Sequence, residues 1–89
     1  MRIENQDVAA RSAFIYNQED TSRAIALASS PIDSKGYWDY TPPKNPSGFY
    51  TVLMHHDKGG GKIMAIGSGD KDVHLVFNGL TLCPYKPKA

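Results

Sequence analysis

Apolar and polar positions alternate most regularly near the end of the chain. There Val73, Leu75 and Phe77 are interleaved with His74 and Val76, and Leu80-Thr81-Leu82-Cys83 follows after Asn78-Gly79. Alternation on both sides of an Asn-Gly pair predicts a β-hairpin, because that pair tolerates the positive φ angles of a two-residue type I′ turn. Counting outward pairs Phe77 with Leu80, Val76 with Thr81, Leu75 with Leu82 and His74 with Cys83. Val73, Leu75, Phe77, Leu80 and Leu82 then share a core face, with His74, Val76, Thr81 and Cys83 on the other.

Residues 49–57 form a second strand pattern, with Phe49, Thr51, Leu53 and His55 on one face and Tyr50, Val52, Met54 and His56 on the other. Both faces are largely apolar, which suits a central strand covered by a helix on one side and by the aromatic loop or a second copy of the chain on the other. Lys58-Gly59-Gly60-Gly61 predicts a turn, residues 62–67 a returning strand, and residues 68–72 another turn. Residues 8–16 fit helical spacing at Ala9, Ala13 and Tyr16. The aromatic and β-branched run Ala13-Phe14-Ile15-Tyr16 favours a strand instead.

The alanine-rich residues 21–30 carry an apolar stripe at Ala24, Ile25, Leu27 and Ala28. Asp20 or Thr21 is placed to cap the first turn and Pro31 to stop the last, so the pattern predicts a helix. A helix-turn-helix over residues 8–30 is disfavoured, because no glycine sits in 17–20 and Arg11 and Arg23 are the only basic residues in the span. Residues 31–48 hold Pro31, Pro42, Pro43 and Pro46 and show no periodicity, which predicts a long functional loop. The resulting expectation is a single α+β domain over residues 1–89: an antiparallel sheet of four to five strands, one or two helices packed on one face, and a flexible tail at 86–89.

Length and charge narrow the classes of function. Eighty-nine residues enclose one core. A net charge of +1 gives no general attraction to nucleic acid or anionic lipid, so neither partner is expected. No stretch approaches the roughly 20 apolar residues of a membrane-spanning helix, and the first residues do not resemble a signal peptide. The single cysteine excludes an intramolecular disulfide and fits a reducing, cytoplasmic compartment.

Candidate chemistry is sparse. His55, His56, His74, Cys83 and Asp57 are metal-ligand types, but adjacent His55 and His56 point to opposite strand faces, which leaves three ligands at most, so no metal is expected. A Cys83 nucleophile served by His74 lacks both a helix N-terminus to lower its pKa and a third orienting group. The glycine turn is not a phosphate loop, because Ile63 stands where Ser or Thr would open a helix. No catalytic residue and no cofactor are therefore expected. Tyr37, Trp38 and Tyr40, with Lys44 nearby and His56 on the sheet's second face, are the residue types that anchor interfaces. They point to a small non-enzymatic binding protein, an inhibitor or adaptor that occupies a partner protein's surface. The alternative is a small-ligand or nucleotide binder that uses the aromatic loop and glycine turn. A homodimer is compatible with either reading.

Overall fold

The computed structural model describes residues 1–56 and 62–86, and among these there are eight strands and no helix. They are β1 (Arg2–Asn5), β2 (Arg11–Asn17), β3 (Ala28–Ile32), β4 (Tyr37–Asp39), β5 (Tyr50–His56), β6 (Ile63–Gly69), β7 (His74–Phe77) and β8 (Leu82–Pro84). Two four-stranded sheets form, one in the order β4-β1-β7-β8 and the other β3-β2-β5-β6. The expected α+β class is thus corrected to all-β. The expected all-antiparallel pairing also fails at one place, where β1 runs parallel to β7 with Ile3 beside Leu75.

Side-chain alternation explains how the layers pack. Ile3, Leu75, Phe77 and Leu82 point inward from the first sheet, and Ala13, Ile15, Tyr50, Val52, Met54 and Ala65 from the second, into one buried cluster. The shortest dimension of the molecule is 18 Å, as expected of two sheets about 10 Å apart with outward side chains. β6 contributes little bulk to this core. A Cβ at Gly69 would lie 2.5 Å from the Val73 side chain, so glycine is required for β6 to approach the start of β7.

The helix expected at 21–30 is replaced by a turn and an edge strand. Asp20 caps no helix, although its carboxylate accepts from Ser22 Oγ at 2.8 Å and from the Ala24 and Ile25 amides at 3.4 and 3.3 Å. It closes a turn only, because Arg23 takes the left-handed φ of 55°. From Leu27 onward the chain pairs with β2, and Ile32 becomes buried. A ten-residue helix with a thin apolar stripe is marginal alone, so ladder bonds and burial decide the outcome. Ile25, assigned to the stripe, is 77% exposed.

The C-terminal hairpin is present with a different turn. Phe77 pairs with Leu82 and Val76 with Cys83, a slip of two residues that preserves the faces of Leu75, Phe77 and Leu82 but expels Leu80 to 81% exposure. The reason is the Asn78 side chain, whose Oδ1 accepts from the Leu80 and Thr81 amides, both at 2.8 Å. That closes a longer turn in which only Gly79 has a positive φ. Residues 31–48 contain the end of β3 and all of β4, so the irregular stretch is 40–49. β2, β5 and β6 lie where strands were expected, and β5 is central; the other sheet, not a helix, covers its inner face. The glycine turn and residues 87–89 of the tail lie outside the described residues.

Candidate binding face

The outward face of the first sheet carries the densest set of interacting polar and aromatic side chains. Strand register places them in two rows: Asp39, Arg2, His74 and Tyr85 in one, and Tyr37, Glu4, Val76 and Cys83 in the other. Arg2 donates to Asp39 through Nε at 2.7 Å and Nη2 at 3.0 Å, and its guanidinium lies 4.0 Å from the centre of the Tyr37 ring. His74 Nε2 lies 3.3 Å from Glu4 Oε1, and its ring stacks on Tyr85 at 4.5 Å. The Arg2 hydrogen bond holds the Asp39 carboxyl below the usual carboxylate range, and Asp39 in turn raises Arg2. The pair therefore stays ionised at any ordinary pH.

This face borders two open grooves at one end of the sandwich. One, of about 310 Å³, is lined by Arg2, Asp39, Tyr40, Asp72 and His74 among others. The other, of about 270 Å³, lies between Lys44, Asn45 and Gly48 on one side and Asp70, Lys71 and Asp72 on the other. Tyr50 donates its hydroxyl to the Pro43 carbonyl, tying the irregular 40–49 segment to the start of β5.

The residues singled out from the sequence are dispersed over these surfaces. Tyr37 is on the outward face and 58% exposed. Trp38, one position on, is partly buried against the core and stacks on Tyr40 at 5.5 Å, so most of its side chain anchors β4. Tyr40 and Lys44 line different grooves. His56 ends β5, about 20 Å of strand from Tyr50 and the Lys44 groove, where its Nδ1 lies 3.4 Å from Arg11. Arg2, Glu4, Asp39 and Tyr85 were not anticipated. The alternation Arg2-Ile3-Glu4-Asn5 was the available signal, but four residues with one large apolar side chain do not announce a strand.

The shifted hairpin register also separates the candidate ligands. Cys83 lies opposite Val76, and its thiol sits 3.4 Å from Thr81 Oγ1, whereas His74 neighbours Tyr85. His55 belongs to the other sheet. Among the described residues no three His, Cys, Asp or Glu side chains come together as a metal site.

His55 faces outward from the second sheet. Its ring meets Phe14 edge-on at 4.6 Å, and its Nε2 is buried without a hydrogen-bond partner among the described residues. Burial lowers its pKa, so the folded protein holds the neutral ring. The unfolded chain takes up the proton first as pH falls through about 6.5. Stability is therefore complete above that value and declines below it. Urea midpoints at pH 7.5 and 5.5 are expected to fall less for His55→Gln than for the original chain; equal falls in the two would contradict this account.

Comparison with protein-family models, with curated proteins and with solved structures found no match to this chain. No helix among the described residues is long and apolar enough to cross a membrane.

Proposed function

We propose that this chain is a small non-enzymatic binding protein that occupies a partner protein's surface with the outward face of its first sheet. The observation that carries the reading is the interlocked set of Arg2, Tyr37, His74 and Tyr85. Tyr37 and Tyr85 are 58% and 51% exposed, yet Tyr37 lies under Arg2 and Tyr85 against His74. Tyr and Arg dominate interface energetics. Side chains already ordered in the unbound protein lose less rotamer entropy on association, at a saving of about 0.5–1.5 kcal/mol each. The polar groups are engaged in pairs, Arg2 with Asp39 and His74 with Glu4, an arrangement suited to recognition more than to proton transfer. A free, exposed Cys83 supports a reducing, cytosolic setting.

Joint Tyr37→Ala and Tyr85→Ala substitution is expected to reduce quantitative capture of the native partner about tenfold or more. Ile25→Ala, at an exposed position outside the face, serves as control. Unchanged capture by the folded double variant would refute the reading. A second reading, a small ligand held near Lys44, is favoured by the groove between the 40–49 segment and the Asp70–Asp72 turn. A rise in melting temperature with nucleotides, abolished by Lys44→Ala, would support it over the first.

A further inference from the structure

The four asparagines of the chain differ in what their carboxamides can meet. Asn5 is completely buried, and both ends of its carboxamide are tied to backbone. Asn45 precedes Pro46, whose nitrogen has no proton to lose. Asn17 precedes Gln18, whose side chain crowds the nitrogen between them. Asn78 is exposed and precedes Gly79, which has no Cβ to hinder the approach of its nitrogen to a neighbouring carbon. In the folded turn that carboxamide is fully engaged with residues further along: Oδ1 accepts from the Leu80 and Thr81 amides, and Nδ2 donates to Thr81 Oγ1 at 3.1 Å. The strand that the turn leads into is short. Leu82 is the only buried residue of β8, and Cys83 and Pro84 are exposed.

We propose that Asn78 is a site of self-modification by deamidation, and that the folded hairpin gates it. In the reaction the Gly79 backbone nitrogen bonds to Asn78 Cγ, the Cγ–Nδ2 bond breaks, and Nδ2 leaves as ammonia with the proton that the Gly79 nitrogen gave up. Water then opens the cyclic imide at either of its carbonyls. One opening gives an ordinary aspartate, the other an isoaspartate whose backbone runs through Cβ. Ring closure re-aims the carboxamide at Gly79, so the three turn bonds must first be given up. A three-residue edge strand with one buried side chain opens locally, without global unfolding, and supplies that chance. The two products then part. The aspartate keeps an oxygen where Oδ1 stood, so the Leu80 and Thr81 amides retain their acceptor and the turn re-forms. The isoaspartate carries an extra backbone carbon and hangs its carboxylate from Cα, so both amides lose that acceptor and Leu82 no longer falls opposite Phe77. Its β8 stays released. Tyr85 goes with it, since its amide bond to the His74 carbonyl, 2.7 Å in the intact chain, continues the β8 pairing.

Peptide mapping by mass spectrometry, on the full chain incubated at mildly alkaline pH in buffer and in urea, reads the change from carboxamide to acid at each asparagine. Asn78 is expected to react before the other three in both. Its rate is expected to be about tenfold or more lower in buffer, because reaction then follows the open fraction of the hairpin. Thr81→Val, which removes the partner of Nδ2, is expected to raise the rate several-fold in buffer and leave it unchanged in urea. Gly79→Ala is read in urea, where the positive φ is no constraint, and is expected to slow the reaction. Hydrogen exchange on the separated products is expected to find β8 protected in the aspartate form and unprotected in the isoaspartate form. Circular dichroism establishes that Thr81→Val is folded; if it is not, the original chain in buffer and urea decides. Equal rates in the two solvents, earlier reaction at another asparagine, a folded Thr81→Val or an unfolded Gly79→Ala that reacts like the original, or equal protection in the two products would each overturn the proposal.

Discussion

Asn5→Asp is expected to lower the unfolding free energy by about 4 kcal/mol at neutral pH, from the cost of burying a charge and leaving its neighbours unpaired. Asn5 is completely buried at the end of β1. Its Nδ2 donates to the Ala9 and Ile32 carbonyls, both at 3.0 Å, and its Oδ1 accepts from the Asp7 amide at 3.0 Å. One side chain thus satisfies backbone groups of the loop after β1 and of the end of β3, across the two sheets. A carboxylate has no donor to offer, so carbonyl oxygens would face a buried anion. The deficit shrinks as pH falls, because protonation removes the charge and restores one donor. Asn5→Ala avoids the charge and is expected to cost about 3 kcal/mol for the groups it strands. Urea denaturation followed by circular dichroism reads both values. A loss under about 1 kcal/mol for Asn5→Asp would show that these bonds are replaced by water. A domain of this size has roughly 4–13 kcal/mol in total, so the effect is a large fraction of the whole.

Phe77→Ala carries the other large expectation, a loss of about 3–5 kcal/mol from lost transfer energy and the cavity left behind. Phe77 is completely buried in β7, between Asn5 of β1 and Leu82 of β8 in register, and it faces the second sheet. The informative contrast is Leu80→Ala. The alternation in the sequence puts Leu80 on the same core face, yet it is 81% exposed, so its substitution is expected to change stability by no more than about 0.5 kcal/mol. Comparable urea midpoints for the Phe77→Ala and Leu80→Ala variants would mean that the two-residue turn, not the longer one, forms in solution.

Strand positions with strong two-residue periodicity were legible in the chain. β5, β6 and β7 and the aromatic run in β2 are found where the pattern places them, and the division of β5 into Tyr50, Val52 and Met54 against Thr51, Leu53 and His55 is the division observed. β1 and β4 were not legible, because each is short and owes its existence to partners far along the chain: β1 lies between β4 and β7. The candidate face was legible only in part, in Tyr37 and in the His74, Val76 and Cys83 side of the hairpin, since Arg2, Asp39 and Tyr85 join them from separate segments. Trp38 and Tyr37 part company for a simple reason: adjacent strand residues face opposite ways, and a loop reading of β4 hides that alternation.

What the sequence alone determined is local: which residues alternate, where Asn78 and Gly79 turn the chain, and that a single cysteine excludes a disulfide within the chain. Tertiary structure decided the rest. Residues 21–30 have helical composition and a capping Asp20, but the ladder with β2 and the burial of Ile32 outweigh a helix too short to stand alone. The Asn78 side chain chose a longer turn that its neighbours' alternation could not distinguish, since a slip of two residues leaves the faces of Leu75, Phe77 and Leu82 unchanged and moves only Leu80 out into the turn. Asn5, an ordinary polar residue in the sequence, becomes the buried tie between segments because only the fold brings Ala9, Ile32 and Asp7 within its reach.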